Sequence, residues 1–127
     1  MSREILFKAK RLDNGEWVEG DLIHSFDEEN RFAISNEFGL YEVAPYTICQ
    51  YTGLTDKNGK KIWENDILSC GGNLVVTWKE NLASFCLSKK GWLYQHFFGE
   101  AVETNDVVVI GNIFDNPELL EGGAEHE

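Results

Sequence analysis

Apolar and polar positions alternate from the start of the chain. Ile5, Phe7 and Ala9 fall on one side of the segment Glu4–Lys10, the period of a half-buried strand. Asp13-Asn14-Gly15 interrupts the alternation, and Asn-Gly supplies the positive φ that a type I′ hairpin needs. Trp17–Ser25 resumes as a second strand. The polar connection Asp27-Glu28-Glu29-Asn30 leads to a short strand in which Phe32 and Ile34 share a face. Asn36–Gly39 turns the chain again, and Leu40–Val43 continues as strand up to Pro45.

The same punctuation recurs further on. Ile48–Leu54 is rich in β-formers, Asp56-Lys57-Asn58-Gly59-Lys60 supplies a second Asn-Gly turn, and Ile62–Cys70 reads as the strand after it. Gly71-Gly72-Asn73 breaks the pattern before Leu74–Trp78, and Phe85–Leu87 forms another strand. Val107–Phe114 is β-branched and almost wholly apolar, which predicts a central strand buried on both faces. Trp92–Phe98 fits a strand or a helical turn equally well. At the end, Asn116 as cap, Pro117 at the first helical position and Glu118 on the helix dipole predict a short helical turn. Short strands separated by turn residues predict a mainly β fold, a small antiparallel barrel or sandwich-like domain, and not βαβ units. Val18-Glu19-Gly20-Asp21-Leu22-Ile23 and Trp63-Glu64-Asn65-Asp66-Ile67-Leu68 echo one another, each with a bend at Gly or Asn between strand residues.

With 127 residues the chain is expected to form one β-rich domain over residues 1–121, divisible into two small β sub-domains near 45–50, with a disordered tail at 122–127. Four tryptophans and eight phenylalanines supply a core without staples. Cys49, Cys70 and Cys86 stand far apart, and the opening Met-Ser-Arg-Glu-Ile lacks the apolar run of a signal peptide. Scattered thiols of odd number fit a reducing compartment, so a cytoplasmic location and no membrane span are expected, with the cysteines as small hydrophobes.

Charge changes the picture more. The balance of 11 basic against 22 acidic side chains gives −11, unevenly spread. Arg3, Lys8, Lys10 and Arg11 make the first segment basic; between Asp13 and Glu42 only Arg31 opposes the acids, and from Glu100 to Glu127 there is no base. Such a field disfavours nucleic acid and anionic membranes and favours basic partners.

Catalytic chemistry finds no spacing to stand on. His24, His96 and His126 make no H-x-x-x-H or H-E-x-x-H pattern, Gly71-Gly72 is no phosphate loop, and a Cys49–His24 dyad has only residue types in its favour. No metal, cofactor or catalytic residue is therefore expected. Binding chemistry is better represented. Tyr41, Tyr46, Tyr51, Trp63 and Trp92 could form an aromatic platform, and Lys57, Lys60 and Lys61 make a basic hairpin beside Tyr51 and Trp63. That hairpin, with Asp56 and Asn58 in its turn, is the place where nucleic acid would dock.

The run from Gln50 to Ile67, Gln-Tyr-Thr-Gly-Leu-Thr-Asp-Lys-Asn-Gly-Lys-Lys-Ile-Trp-Glu-Asn-Asp-Ile, closely resembles the hallmark of the YopX family of phage and prophage proteins. Arg3-Glu4-Ile5 with Phe7 and Ala9, Trp17-Val18 with Gly20-Asp21-Leu22-Ile23, and the closing Ile110–Leu120 agree with that family too. Lys10 stands where the family often has an aromatic, Trp63 where Tyr or Phe is commoner, and Asn65 where Gly is usual; Asn73–Asp106 matches only loosely. The resemblance implies a mainly β fold and a phage setting but no established activity. The expectation is a non-enzymatic accessory protein that binds a host or phage protein with a basic surface, using acids such as Asp27, Glu28 and Glu29. The alternative is a nucleic-acid module built on the Lys57–Lys61 hairpin. Self-association through an exposed edge strand also fits the pattern.

Overall fold

The computed structural model describes residues 4–69, 72–88, 96–97 and 107–120. Two of the expectations fall partly or wholly on other residues: the tail at 122–127 lies outside the described residues, and so does Trp92–Phe98 except for His96–Phe97. The chain divides into two compact units, Met1–Gly53 and Leu54–Glu127.

In the first unit β1 (Phe7–Lys10), β2 (Trp17–His24), β3 (Phe32–Asn36), β4 (Gly39–Val43) and the start of β5 (Cys49–Thr55) form an antiparallel sheet in the order β4-β3-β2-β1-β5. The first hairpin turns at Asn14-Gly15, but only Gly15 holds a positive φ (74°) and Arg11 N donates to Glu16 O at 2.9 Å, so a longer loop replaces the expected two-residue type I′ turn. Register sorts the faces. Phe7 opposes Gly20, Ala9 opposes Val18, Leu22 opposes Ile34, and Phe32 opposes Val43. Ala9, Ile34 and Val43 are buried on that face, with Phe7, Val18, Leu22, Phe32 and Ile48 packed against them. Burying each large aliphatic side chain stabilises the unit by roughly 1.5–3 kcal/mol. Thr47, also buried, follows Pro45 in a 3-10 turn; its Oγ1 accepts from Lys10 N at 2.9 Å and donates to Ala44 O at 2.7 Å. One bridge, Arg11 to Val43, brings the end of β4 back to the end of β1.

In the second unit the end of β5 turns at Gly59 (φ 84°) into β6 (Lys61–Trp63). β7 (Asp66–Ser69), β8 (Asn73–Lys79), β9 (Ser84–Ser88), β10 (His96–Phe97) and β11 (Val108–Asn112) form a second antiparallel sheet, ordered β10-β9-β8-β7-β11. Leu68, Leu74, Val76 and Leu87 share one face and are buried with Ile62 and Val107. The fold is thus mainly antiparallel β, with helical residues at 118–120 after Pro117. Among the described residues neither sheet is closed into a barrel, so the closed-barrel form of the expectation does not fit.

Three local expectations are corrected. Val108–Asn112 is not central but the last strand in its sheet's order, and Ile110 is exposed. A run of Val and Ile cannot distinguish a strand buried on both faces from one whose edge is covered by other means. Ile62–Cys70 is not one strand either. It breaks at Asn65, which holds φ 74°, while Asp66 Oδ2 accepts from Trp63 N at 2.8 Å across the bend. Asn116 does not aim its side chain along the helical turn; its Oδ1 turns back to accept from Asn112 N at 3.2 Å.

Asn65 supports a first prediction. Asn visits the left-handed region at lower cost than most residues, but Gly enters it freely. Asn65→Gly is expected to leave stability within about 0.5 kcal/mol, and Asn65→Ala to cost roughly 1 kcal/mol, as measured by urea unfolding. Equal behaviour of the two variants would mean that the bend does not depend on the left-handed conformation.

Candidate functional site

The charged residues singled out by sequence for binding fall into two places, one in each unit. In the second unit the β5–β6 hairpin is organised around Asp56, whose carboxylate is buried. Its Oδ1 accepts from Asn58 N at 2.8 Å and Lys60 N at 2.9 Å, and its Oδ2 accepts from Val109 N at 3.0 Å. The Lys57 amide adds a bond to Val107 O at 3.1 Å. This carboxylate therefore ties the hairpin to β11 and covers the outer edge of that strand, which explains how an edge strand can be so apolar. Burial pushes the Asp56 carboxyl up, but the amides of Val109, Lys60 and Asn58, with the Lys60 charge, outweigh it and hold it below the usual range.

The hairpin's side chains divide by exposure. Lys57, Asn58 and Lys60 are exposed and Lys61 is half-buried. Trp63 is only 4 % exposed and, in the first unit, Tyr51 only 8 %. Base stacking needs an open aromatic face beside the cations. The structure presents the cations here and places both rings among buried side chains. Of the other proposed platform members, Tyr46 is exposed, Tyr41 lies half-buried beneath the Arg11 guanidinium at 4.4 Å, and Trp92 lies outside the described residues.

In the first unit the loop between β2 and β3 carries Asp27, Glu28 and Glu29, all exposed. The loop is locally built. Ser25 Oγ accepts from Asp27 N at 3.1 Å and Glu28 N at 3.2 Å, Ser25 N donates to Arg31 O at 2.9 Å, and Arg31 N donates to Glu28 O at 3.2 Å. The Arg31 guanidinium reaches Glu28 at 2.8 Å and Glu42 at 3.1 Å, and these carboxylates raise its pKa. His24 stacks on Phe32 at 4.2 Å between ring centres, with Nε2 against Glu29 O. These contacts leave Phe26 fully exposed directly before the three acids. Phe26 was not among the sequence-selected residues. Its signal is an aromatic set inside an acidic turn, off the alternation of the strands beside it.

The dyad residues have structural surroundings. Cys49 is buried and its Sγ donates to Thr47 O at 3.3 Å, while His24 belongs to the loop just described. Burial raises the Cys86 thiol pKa, against a smaller opposing effect of Lys79. Among the described residues no group of three or more His, Cys, Asp or Glu side chains is placed to hold a metal. No helix among them is long and apolar enough to cross a membrane.

Comparison with known proteins adds a family and a fold. The family described as YopX protein matches residues 6–121. No curated protein matches the chain. Among solved structures, the crystal structure of protein EF1440 from Enterococcus faecalis is similar, with a TM-score of 0.62 and 23 % identity. The alignment covers 94 % of this chain and 100 % of that one. At that identity the likeness shows a shared fold alone.

Proposed function

The chain belongs to the YopX protein family, and from that premise we propose that it is a phage- or prophage-encoded accessory protein. In this reading it works in the bacterial cytoplasm by binding, without catalysis, a host or phage protein that has a basic surface. One observation carries the reading: a fully exposed Phe26 stands on a braced loop directly before Asp27, Glu28 and Glu29. An exposed aromatic ring is the type of side chain that anchors interfaces, and surrounding carboxylates speed encounter with a cationic partner. The net charge of −11 acts in the same direction at longer range.

The test is affinity capture from lysate of infected cells, at low and high salt, with wild-type protein and with two variants. Phe26→Ala is expected to lose a basic partner at both salt concentrations. Asp27→Asn with Glu29→Gln is expected to slow association about tenfold at low salt and to matter little at high salt. Glu28 is left intact because it holds Arg31. Capture that is indifferent to Phe26, or that disappears with nuclease, would overturn the reading.

A further inference from the structure

The opposite face of β2–β4 from the first unit's core offers more than charge. Register places Ile23 opposite Ala33, and Ser35 between Asp21 on β2 and Leu40 on β4. The middle strand therefore presents only the small side chains of Ala33 and Ser35 on this face. Its neighbours raise larger ones: Ile23 is 44 % exposed and Leu40 65 %. Adjacent strands lie about 4.8 Å apart, so the floor between β2 and β4 spans roughly 10 Å. An α-helix with its side chains measures about 10–12 Å across.

Charge frames this trough on its long sides and both ends. Glu19 and Asp21 rise from β2, and Glu42 from β4, where it pairs with Arg31. The loop of Asp27, Glu28 and Glu29 follows β2 at one end. Glu37 and the exposed Phe38 stand at the other, in the β3–β4 turn. Beyond β2 the sign changes, because β1 adds Lys8 and Lys10, whose ammonium groups lie over the Trp17 ring at 4.6 and 5.5 Å. The acidic strip, floored by the small side chains of Ala33 and Ser35, is thus confined to β2–β4.

We propose that this strip is the docking surface for a cationic amphipathic helix laid along β3, its small apolar face on Ala33 and Ser35 and its Lys or Arg side chains over the flanking carboxylates. The inference rests on the reading of the protein as a binder of basic partners and names the form that the partner takes. A helix presents apolar residues at i, i+3, i+4 and i+7, and cations on both sides of that stripe reach the two acidic margins together. An extended strand would alternate its side chains and present cations to one margin at a time.

Calorimetric titration with an 18-residue Leu/Lys amphipathic peptide tests this, with a scrambled peptide of the same composition as its comparison. At physiological salt the amphipathic peptide is expected to bind at least about tenfold tighter than the scramble. Ala33→Trp, which fills the floor, is expected to weaken it about tenfold or more without changing the scramble. Leu40→Ser, on a side chain already exposed, removes apolar contact without adding charge and gives the same reading should Ala33→Trp disturb the sheet. Equal affinity for the two peptides, or no effect of either variant, overturns the helix inference while leaving an acidic binding surface. Binding of neither peptide at low salt overturns both that surface and the helix inference.

Discussion

Asp56→Ala is expected to destabilise the second unit by about 3–5 kcal/mol, because a buried amide left without its acceptor costs roughly 1–3 kcal/mol and three lose theirs at once. Those amides belong to Asn58, Lys60 and Val109. The two in the turn stand near solvent and can turn to water. Val109 N lies against the covered edge of β11 and carries most of the loss. Domains of this size are stable by only about 5–15 kcal/mol, so the change removes a large share. Asp56→Asn keeps one oxygen for the turn but faces Val109 N with a second donor, so about 2 kcal/mol should be lost. Urea unfolding measures both, and a loss under about 1 kcal/mol for Asp56→Ala would show that water replaces the carboxylate.

The same group gives the stability a pH dependence of definite sign. The Asp56 carboxyl sits below its ordinary value of 3.8, so the folded state holds the proton less tightly than the unfolded chain. Its contribution is therefore fully present at neutral pH and is lost as pH falls below about 4. The gap between wild type and Asp56→Asn should narrow over that acid range and be constant from pH 5 to 8.

Where the chain turns was legible because turn chemistry is local. Asn14-Gly15 and Asn58-Gly59 are turns in the structure, and both glycines hold the positive φ that the dipeptide suggests. The errors arose where a strand's identity depends on what lies beside it. Val107–Phe114 reads as central by composition, yet its outer edge is closed by Asp56 and Lys57, residues some fifty positions earlier in sequence. No period in a run of valines records that. The bend at Asn65 was legible as the turns were, from Asn in the echo of Val18–Ile23, although the β pattern on both sides read as one strand and the Asp66 beside it, expected at the surface, is buried.

The candidate site shows the same division. Lys57, Asn58 and Lys60 are exposed as a polar hairpin tip should be, and Asp27, Glu28 and Glu29 as an acidic loop should be. Sequence leaves Tyr51 and Trp63 either as a platform beside the lysines or as core, and the structure buries both. In a strand, neighbours in sequence point to opposite faces, so adjacency to a cation says nothing of exposure. Asp56 looked like one more charge of the hairpin and is instead its buried clasp. Phe26 went unselected because an isolated aromatic in a loop resembles core until the core is seen without it.

Gly20→Ala is expected to be the most damaging small substitution in the first unit. A Cβ at this position would meet the backbone carbonyl oxygen of Ser35 well inside contact distance and Ile34 Cγ2 at 3.0 Å. Overpacking against side chains costs roughly 1–3 kcal/mol because rotamers give way, but a carbonyl in a paired strand cannot move without its ladder. A loss at or above about 3 kcal/mol follows, seen as a Tm lower by on the order of 10 °C or more. The second-site variant Ile34→Val distinguishes the cause, since it shortens a side chain and leaves the Ser35 carbonyl in place. It should not rescue Gly20→Ala, and clear rescue would show that side-chain crowding sets the limit. The echo between Gly20 and Asn65 is then one of letters with different physics beneath them. At 65 the backbone needs a left-handed conformation and the space is secondary, so Asn65→Gly is tolerated. At 20 the sheet needs the absence of a side chain, so Gly20→Asn should fail at least as badly as Gly20→Ala.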